Sequence, residues 1–114
     1  MDQLTKQKIQ DLQILEQNLQ SLLMQKQNMG LELNETLNAL EEVKKSSDLI
    51  YRLVGSIIVS VDKTKTLEDL EEKKKLLELR NASIEKQESS IESRAIALQS
   101  EIKKLLESKS SSEQ

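Results

Sequence analysis

Apolar residues recur every seven positions along the first part of the chain, in two interleaved series. The two series together fill eight positions: Leu12, Leu19, Leu33 and Leu40 in one, and Leu15, Leu22, Met29 and Val43 in the other. Only Lys26 and Thr36 interrupt the pattern. A heptad pattern sustained over several repeats is typical of a coiled coil, so it predicts a long helix over about residues 5–45.

A second heptad pattern predicts another coiled-coil helix over about residues 66–107. Its stronger series is apolar throughout: Leu70, Leu77, Ile84, Ile91, Leu98 and Leu105. Its companion series is polar in the middle and apolar at both ends: Leu67, Lys74, Asn81, Glu88, Ala95 and Ile102. Thr66, followed three residues later by Asp69, resembles an N-terminal cap, in which a side-chain oxygen accepts hydrogen bonds from the first free amides.

The segment between the two predicted helices has the composition of β-structure. Residues 49–54 and 57–61 are rich in β-branched and other apolar side chains, and Gly55-Ser56 between them is a two-residue turn signal. This pattern predicts a β-hairpin over about residues 49–62. The polar residues on either side can cap the flanking helices. The Ser-rich tail, residues 108–114, is too polar to bury and is expected to be disordered.

Two helices joined by a short hairpin must run antiparallel. A register that places Val43 opposite Leu67 also brings the remaining apolar positions of the two patterns together. Its middle is polar, with Lys26 within reach of Glu88, which favours a role for these residues in specifying register. The predicted fold is mainly α, a single domain over residues 1–114, consisting of an antiparallel two-helix coiled coil with a β-hairpin at the connecting tip.

The same register leaves apolar residues near the two chain ends poorly matched. Ile102 is expected opposite Lys8, and Leu105 opposite Thr5, so Leu4, Ile9 and Leu106 also have few apolar partners. One interpretation is simple fraying at the ends of a coiled coil. The other is that this region offers an apolar surface to another molecule.

The predicted hairpin places apolar side chains on both of its faces: Val54 with Ile57 and Ile50 with Val61 on one face, and Leu53 with Ile58 on the other. Two strands cannot cover both faces, and an isolated hairpin is only marginally stable in water. We therefore expect oligomerisation through the hairpins, with a shared barrel or an extended sheet as the product. The alternative is a hairpin that packs against its own helices.

Composition excludes several classes of protein. Aromatic residues make up only 1% of the chain, while 36% is hydrophobic and 32% charged, which disfavours a compact core filled by rings. The absence of Cys and His excludes disulfides, a Cys/His zinc site and histidine-dependent catalysis. No nucleophile with a base and no phosphate-binding glycine loop is present, so we predict no enzyme, no cofactor and no metal. The one tyrosine, Tyr51, lies in a predicted hairpin strand and is interpreted as a packing residue with its hydroxyl at the barrel edge, not as a catalytic acid.

Charge and hydropathy limit the partners of the chain. The net charge is -3, and Lys and Glu alternate instead of forming the basic stripe that nucleic-acid binding requires. The sequence contains no apolar run of about 18 residues and no signal-peptide pattern at its start. We therefore expect a soluble, intracellular protein that binds neither nucleic acid nor membrane.

Several segments resemble the β subunit of prefoldin, a co-chaperone family of archaea and eukaryotes. The matching segments are residues 24–27, 31–35 and 38–42 of the first helix and residues 50–59 of the hairpin. The hairpin match is the more specific, since it has the family's order of aromatic, basic and apolar residues, then Gly, then branched apolar residues. The resemblance covers about residues 12–106, and the single hairpin indicates a β-type subunit, because α-type subunits carry two.

The resemblance implies a cytoplasmic hexamer of two α-type and four β-type subunits, whose hairpins form β-barrels. Such complexes capture unfolded client proteins at the distal ends of their coiled coils and pass them to a group II chaperonin without ATP. The resemblance also implies an oligomerisation hairpin, formed by Tyr51, Leu53, Val54, Gly55, Ile57, Ile58 and Val59. It also implies a client-binding region formed by Leu4, Ile9, Leu12, Leu98, Ile102, Leu105 and Leu106. The alternative function is a structural or adaptor coiled coil that binds one defined partner.

Overall fold

The computed structural model describes residues 2–113, and side chains for residues 2–108. Four elements follow one another along the chain: helix α1 (Gln3–Lys45), strands β1 (Leu49–Val54) and β2 (Ile57–Asp62), and helix α2 (Lys63–Glu113). This confirms the predicted fold class of two long helices connected by a β-hairpin. The chain divides into two compact units, which we call the terminal unit (Met1–Lys26 and Ser83–Gln114) and the hairpin unit (Gln27–Ala82).

The heptad positions of both helices form the buried seam of the terminal unit. Leu15 and Leu22 of α1 and Ile84 and Ile102 of α2 are buried, and the remaining apolar seam residues of this unit are half-buried. Each fully buried Leu or Ile side chain stabilises the folded state by about 1.5–3 kcal/mol relative to an exposed one. The seam is therefore the main stabilising feature of this unit.

The seam of the terminal unit continues further toward the start of the chain than its apolar pattern does. Thr5 is fully buried, and Lys8 is half-buried with its ammonium group 2.5 Å from Glu101 Oε2. Lys8 can cover the seam with its aliphatic stem while its charge remains in water. Ile102 is only 9% exposed, so the expectation that it has too few partners is wrong. The sequence pattern missed this because neither Thr nor Lys counts as apolar.

The polar middle of the seam contains the ion pair predicted from the register. Lys26 Nζ lies 3.6 Å from Glu88 Oε1 and 4.0 Å from Glu85 Oε1. The Lys26 side chain is more than a third exposed, so solvent screens the attraction and its contribution to stability is small. A pair of this kind contributes more to the choice of register than to the free energy of folding.

The hairpin unit buries fewer side chains. Leu40 of α1 and Leu77 of α2 are its buried apolar residues, and Thr36 is buried between them in sequence. The hydroxyl of Thr36 donates a 2.8 Å hydrogen bond to the carbonyl oxygen of Glu32, one turn earlier in the helix. This bond satisfies the buried hydroxyl, and the seam tolerates a polar residue at this position for that reason.

Both helices begin at aspartate caps. Asp2 Oδ1 accepts a 2.8 Å hydrogen bond from the backbone N–H of Thr5, and Asp62 Oδ2 accepts one of 3.1 Å from Lys65. The prediction that Thr66 caps α2 is wrong, because the helix begins earlier and Thr66 lies inside its first turns. The Thr66 hydroxyl donates to the carbonyl oxygen of Asp62 at 2.8 Å instead. Aspartate is the better cap here, since its carboxylate also interacts favourably with the positive end of the helix dipole.

The end of α2 also differs from the sequence prediction. The helix continues to Glu113, whereas residues 108–114 were expected to be disordered. This segment contains no Pro and no Gly, so nothing in its covalent structure ends the helix at Glu107. Gln114 lies outside the described residues.

The hairpin has the predicted strands, turn and register. Its six cross-strand pairs run from Leu49 opposite Asp62 to Val54 opposite Ile57. Gly55 has a φ of 61°, and no other described residue has a positive φ. A positive φ at the first central residue alone is the geometry of a type II′ turn, whose twist matches that of the flanking strands.

Leu77 and Leu79 offer a matched test of the seam. Both are leucines of α2 in the hairpin unit, but Leu77 is 2% exposed and Leu79 is 70% exposed. We expect Leu77→Ala to lower the free energy of unfolding by about 2–5 kcal/mol, because it leaves a cavity. Leu79→Ala should change it by less than about 0.5 kcal/mol. Urea unfolding followed by circular dichroism measures both values, and equal losses would contradict the seam assignment.

The two glycines predict opposite effects for one substitution. A Cβ atom at either Gly30 or Gly55 would meet nothing within 4 Å, so only backbone conformation matters. Gly30→Ala should stabilise α1 by about 0.5–1 kcal/mol, seen as a higher urea midpoint. Gly55→Ala should destabilise the hairpin by about 1–2 kcal/mol, because its φ is positive, and should accelerate amide hydrogen exchange in β1 and β2. Two changes of the same sign would refute this account.

Candidate functional site

The hairpin exposes apolar side chains on both of its faces. Strand alternation places Leu53 and Ile58 on one face, where they are 68% and 69% exposed. Val54 and Ile57 face the other side and are also exposed. All residues predicted for oligomerisation lie in the two strands and the turn, and all are exposed in the single chain: Tyr51, Leu53, Val54, Gly55, Ile57, Ile58 and Val59. Such a concentration of exposed apolar surface is typical of an interaction site.

The edges of the hairpin are open as well. In the part of the chain that the structure describes, the sheet has only the strands β1 and β2, so each strand has one hydrogen-bonded neighbour. The outer N–H and C=O groups of each strand are available to a further strand. An open edge beside apolar faces favours pairing with another β-strand.

The part of the hairpin next to the helices lines a groove with them, and the tip does not. Ile50 and Val61 are half-buried, and they line a groove of about 780 Å³ together with Val43 and Leu70. Charged residues of both helices and of β1, such as Glu42, surround this apolar floor. The alternative in which the hairpin packs against its own helices therefore applies to its base and not to its exposed tip.

The residues predicted for client binding all lie in the terminal unit, but their exposure differs. Leu4 and Leu106 are 56% and 43% exposed, so they can contact another molecule directly. Ile102 is buried in the seam. The others are half-buried seam or flanking residues: Ile9, Leu12, Leu98 and Leu105. The predicted set thus mixes surface residues with residues that hold the two helices together.

Two exposed isoleucines of the terminal unit were missed by the sequence analysis. Ile14 and Ile96 lie outside the seam positions and are more than half exposed. Ile14 lines a groove of about 450 Å³ between the helices, with Leu15 and Leu98 beside it and Asp11 and Arg94 among its other lining residues. The signal was present in the sequence, since both residues are apolar at heptad positions that normally face water.

The described residues show no arrangement for catalysis by a metal. Among them, no group of three or more Asp or Glu side chains is placed to hold a metal ion. Within residues 2–113, neither helix is long and apolar enough to cross a membrane. Tyr51, the one aromatic side chain, is exposed on the hairpin.

Comparison with known proteins identifies the family. The family described as "Prefoldin subunit" matches residues 6–109. The prefoldin subunit beta of Thermococcus onnurineus is 45% identical over 78 residues, which are 67% of each chain. That of Pyrococcus abyssi is 36% identical over 97 residues, or 83% of each chain. That of Saccharolobus islandicus is 38% identical over 96 residues, or 82% of this chain and 76% of the relative.

The fold leads to the same family. The crystal structure of the prefoldin beta subunit from Thermococcus strain KS-1 matches this chain with a TM-score of 0.83 and 32% sequence identity. The match covers 92% of this chain and 94% of the other. It therefore includes the hairpin and most of both helices, and not a coiled-coil segment alone. The chain belongs to the prefoldin subunit family and is similar over nearly its whole length to archaeal beta subunits.

Proposed function

We propose that this chain is a cytoplasmic, ATP-independent chaperone subunit that captures unfolded polypeptides and passes them to a group II chaperonin. Membership of the prefoldin family implies a chaperone instead of an enzyme and supports assembly with other prefoldin subunits. In the proposed complex, the partners are an α-type prefoldin subunit and further copies of this β-type chain. The chain contributes no cofactor and no metal to this activity.

The observation that carries the proposal is the hairpin with two exposed apolar faces and two open edges. A two-stranded hairpin in water is marginal, and further strands would cover its faces and satisfy its edge hydrogen bonds. The proposed assembly platform consists of the exposed residues of β1, the turn and β2. An adaptor coiled coil would need only its helices, and this hairpin would then have no purpose.

We further propose that clients are held by apolar side chains of the terminal unit. Leu4 and Leu106 are the members of the predicted set that an unfolded chain can reach without disturbing the seam. Ile14 and Ile96 are two further apolar residues of this unit that an unfolded chain can reach. One such surface binds weakly, but several surfaces on one platform hold the same client at high effective concentration. Binding of this kind needs no ATP, and release follows when a downstream chaperonin competes for the client.

The platform predicts that charge in β2 prevents assembly. Ile57→Asp combined with Val59→Asp would place two carboxylates in the proposed apolar interface, where their desolvation is costly. We expect the double variant to remain monomeric alone and after mixing with an α-type prefoldin subunit. Sedimentation velocity measures the masses of both samples.

The control for this experiment carries the same charge change elsewhere. Leu31→Asp with Leu79→Asp replaces two exposed apolar residues on the helices of the hairpin unit. This control should assemble like the unmodified chain. A hairpin variant that keeps the mass of the unmodified assembly would refute the platform.

The proposed client surface predicts a loss of holding without a loss of assembly. The test variant combines four substitutions: Leu4→Ser, Ile14→Ser, Ile96→Ser and Leu106→Ser. The assay measures the concentration of the assembly that halves the aggregation of two unrelated unfolded proteins. We expect this concentration to rise by about tenfold in the variant, because avidity multiplies the small loss at each contact. Leu31→Ser with Leu79→Ser is the matched control in the hairpin unit. All samples contain no nucleotide, and their masses are measured first.

Three outcomes of the aggregation assay would contradict the proposal. The proposed client surface is wrong if the variant with four Ser substitutions prevents aggregation as well as the unmodified assembly does. It is also wrong if the control variant loses as much of this protection as the variant with four substitutions. An unmodified assembly that protects neither unfolded protein, yet binds one folded partner, would favour the adaptor function.

A further inference from the structure

Helix α1 ends without the residue that usually ends a helix. Gly55 is the one described residue with a positive φ, so no left-handed residue follows Lys45. Ser46 satisfies two of the last carbonyl groups instead. Its backbone N–H donates to Glu42 O at 3.1 Å and to Val43 O at 3.3 Å, and its hydroxyl donates to Val43 O at 2.8 Å.

The remaining part of this cap comes from the other side of the hairpin. Lys63 Nζ donates a 2.7 Å hydrogen bond to Ser46 O and a weaker one of 3.4 Å to Lys44 O. Lys63 is half-buried and is the first residue of α2. An ammonium group at the C-terminal end of a helix also interacts favourably with the negative end of the helix dipole.

The residue before Lys63 ties the hairpin to α2. Asp62 is the last residue of β2, pairs with Leu49 across the hairpin, and caps α2 through Lys65 N–H. Two consecutive residues therefore fix the base of the hairpin. Asp62 attaches it to the start of α2, and Lys63 connects that start to the end of α1.

We infer that Lys63 is a positioning residue for assembly: its ammonium group connects the end of α1 to the start of α2 and so holds the hairpin in the orientation that pairs with other hairpins. The inference rests on the proposed role of the hairpin as the assembly platform. A hairpin held in its binding orientation loses less conformational entropy on association, so its affinity is higher. Without the lysine, the hydrogen bonds from the start of α2 to the carbonyl groups at the end of α1 would be lost.

A neighbouring lysine provides the matched control. Lys65 carries the same charge two residues later, but its side chain is exposed, and only its backbone N–H takes part in a cap. Lys63→Met removes the donors and keeps an unbranched apolar stem, whereas Lys63→Arg keeps the charge and the donors. Lys65→Met removes an equal charge without touching the end of α1.

The first experiment compares dissociation constants for assembly with an α-type prefoldin subunit, measured by sedimentation. We expect Lys63→Met to weaken association by about tenfold, Lys65→Met by less than about twofold, and Lys63→Arg to restore most of the affinity. Ile84→Val, a buried seam change in the terminal unit, reports the effect of lower stability alone and should leave association unchanged.

The second experiment needs no assembly. In the background of Ile57→Asp with Val59→Asp, we expect Lys63→Met to accelerate amide hydrogen exchange in β1 and β2 by about tenfold, because the hairpin is no longer held at its base. Amides of the terminal unit should keep their rates. A general loss of stability would accelerate both regions.

The outcomes separate this inference from the proposed function. It is overturned if Lys63→Met associates like the unmodified chain, if Lys65→Met or Ile84→Val weakens association as much, or if Lys63→Arg is no better than Lys63→Met. Uniform acceleration of hydrogen exchange would overturn it as well. If the double aspartate variant itself assembles normally, the hairpin platform fails, and the exchange experiment still tests whether Lys63 holds the hairpin.

Discussion

A two-stranded sheet with apolar side chains on both faces is at best marginally stable alone in water, and the other parts of the structure depend on this constraint. One face of the tip carries Leu53 and Ile58, and the other carries Val54 and Ile57. Neither face of the tip is therefore polar enough to suit contact with water. The two helices do not cover these four side chains, each of which is more than half exposed. The apolar surface of the tip therefore stays exposed in the single chain, which agrees with the assembly that membership of the prefoldin family supports.

The helices differ from the hairpin, because most of their apolar side chains are buried or half-buried within the single chain. The heptad seam half-buries most of its apolar members, and Lys26 and Glu88 occupy its polar middle. Its buried members are Leu15, Leu22, Leu40, Leu77, Ile84 and Ile102. Such a seam is narrow and leaves the outer faces of the helices free to carry exposed residues such as Leu4 and Ile96. The same helices can thus fold on themselves and still present apolar side chains to an unfolded polypeptide.

The sequence was sufficient to predict the helices, the hairpin and its register, because each depends on a periodic pattern or on a turn residue such as Gly55. It was insufficient where a polar residue takes an apolar role. Thr5 is buried and Lys8 is half-buried at the end of the seam, and Ile102 is buried there although the apolar pattern predicted too few partners for it. A lysine can cover apolar surface with its aliphatic stem, which a pattern of apolar residues does not register. The sequence pattern also placed the start of α2 too late, because Asp62 is both the last residue of β2 and the cap of α2.

The two proposed surfaces depend on each other through the energetics of weak binding. A leucine that is fully buried in a complex contributes about 1.5–3 kcal/mol, so two or three partly buried leucines correspond to about millimolar affinity. A client held that weakly by one chain would escape before it could be transferred. Several copies joined at their hairpins raise the effective concentration of the other surfaces once one is bound, while each contact still exchanges quickly. In the proposed mechanism, exposed apolar residues such as Leu4 and Leu106 therefore hold a client only when the hairpin makes the protein multivalent, so a rigid hairpin base would serve capture as well as assembly.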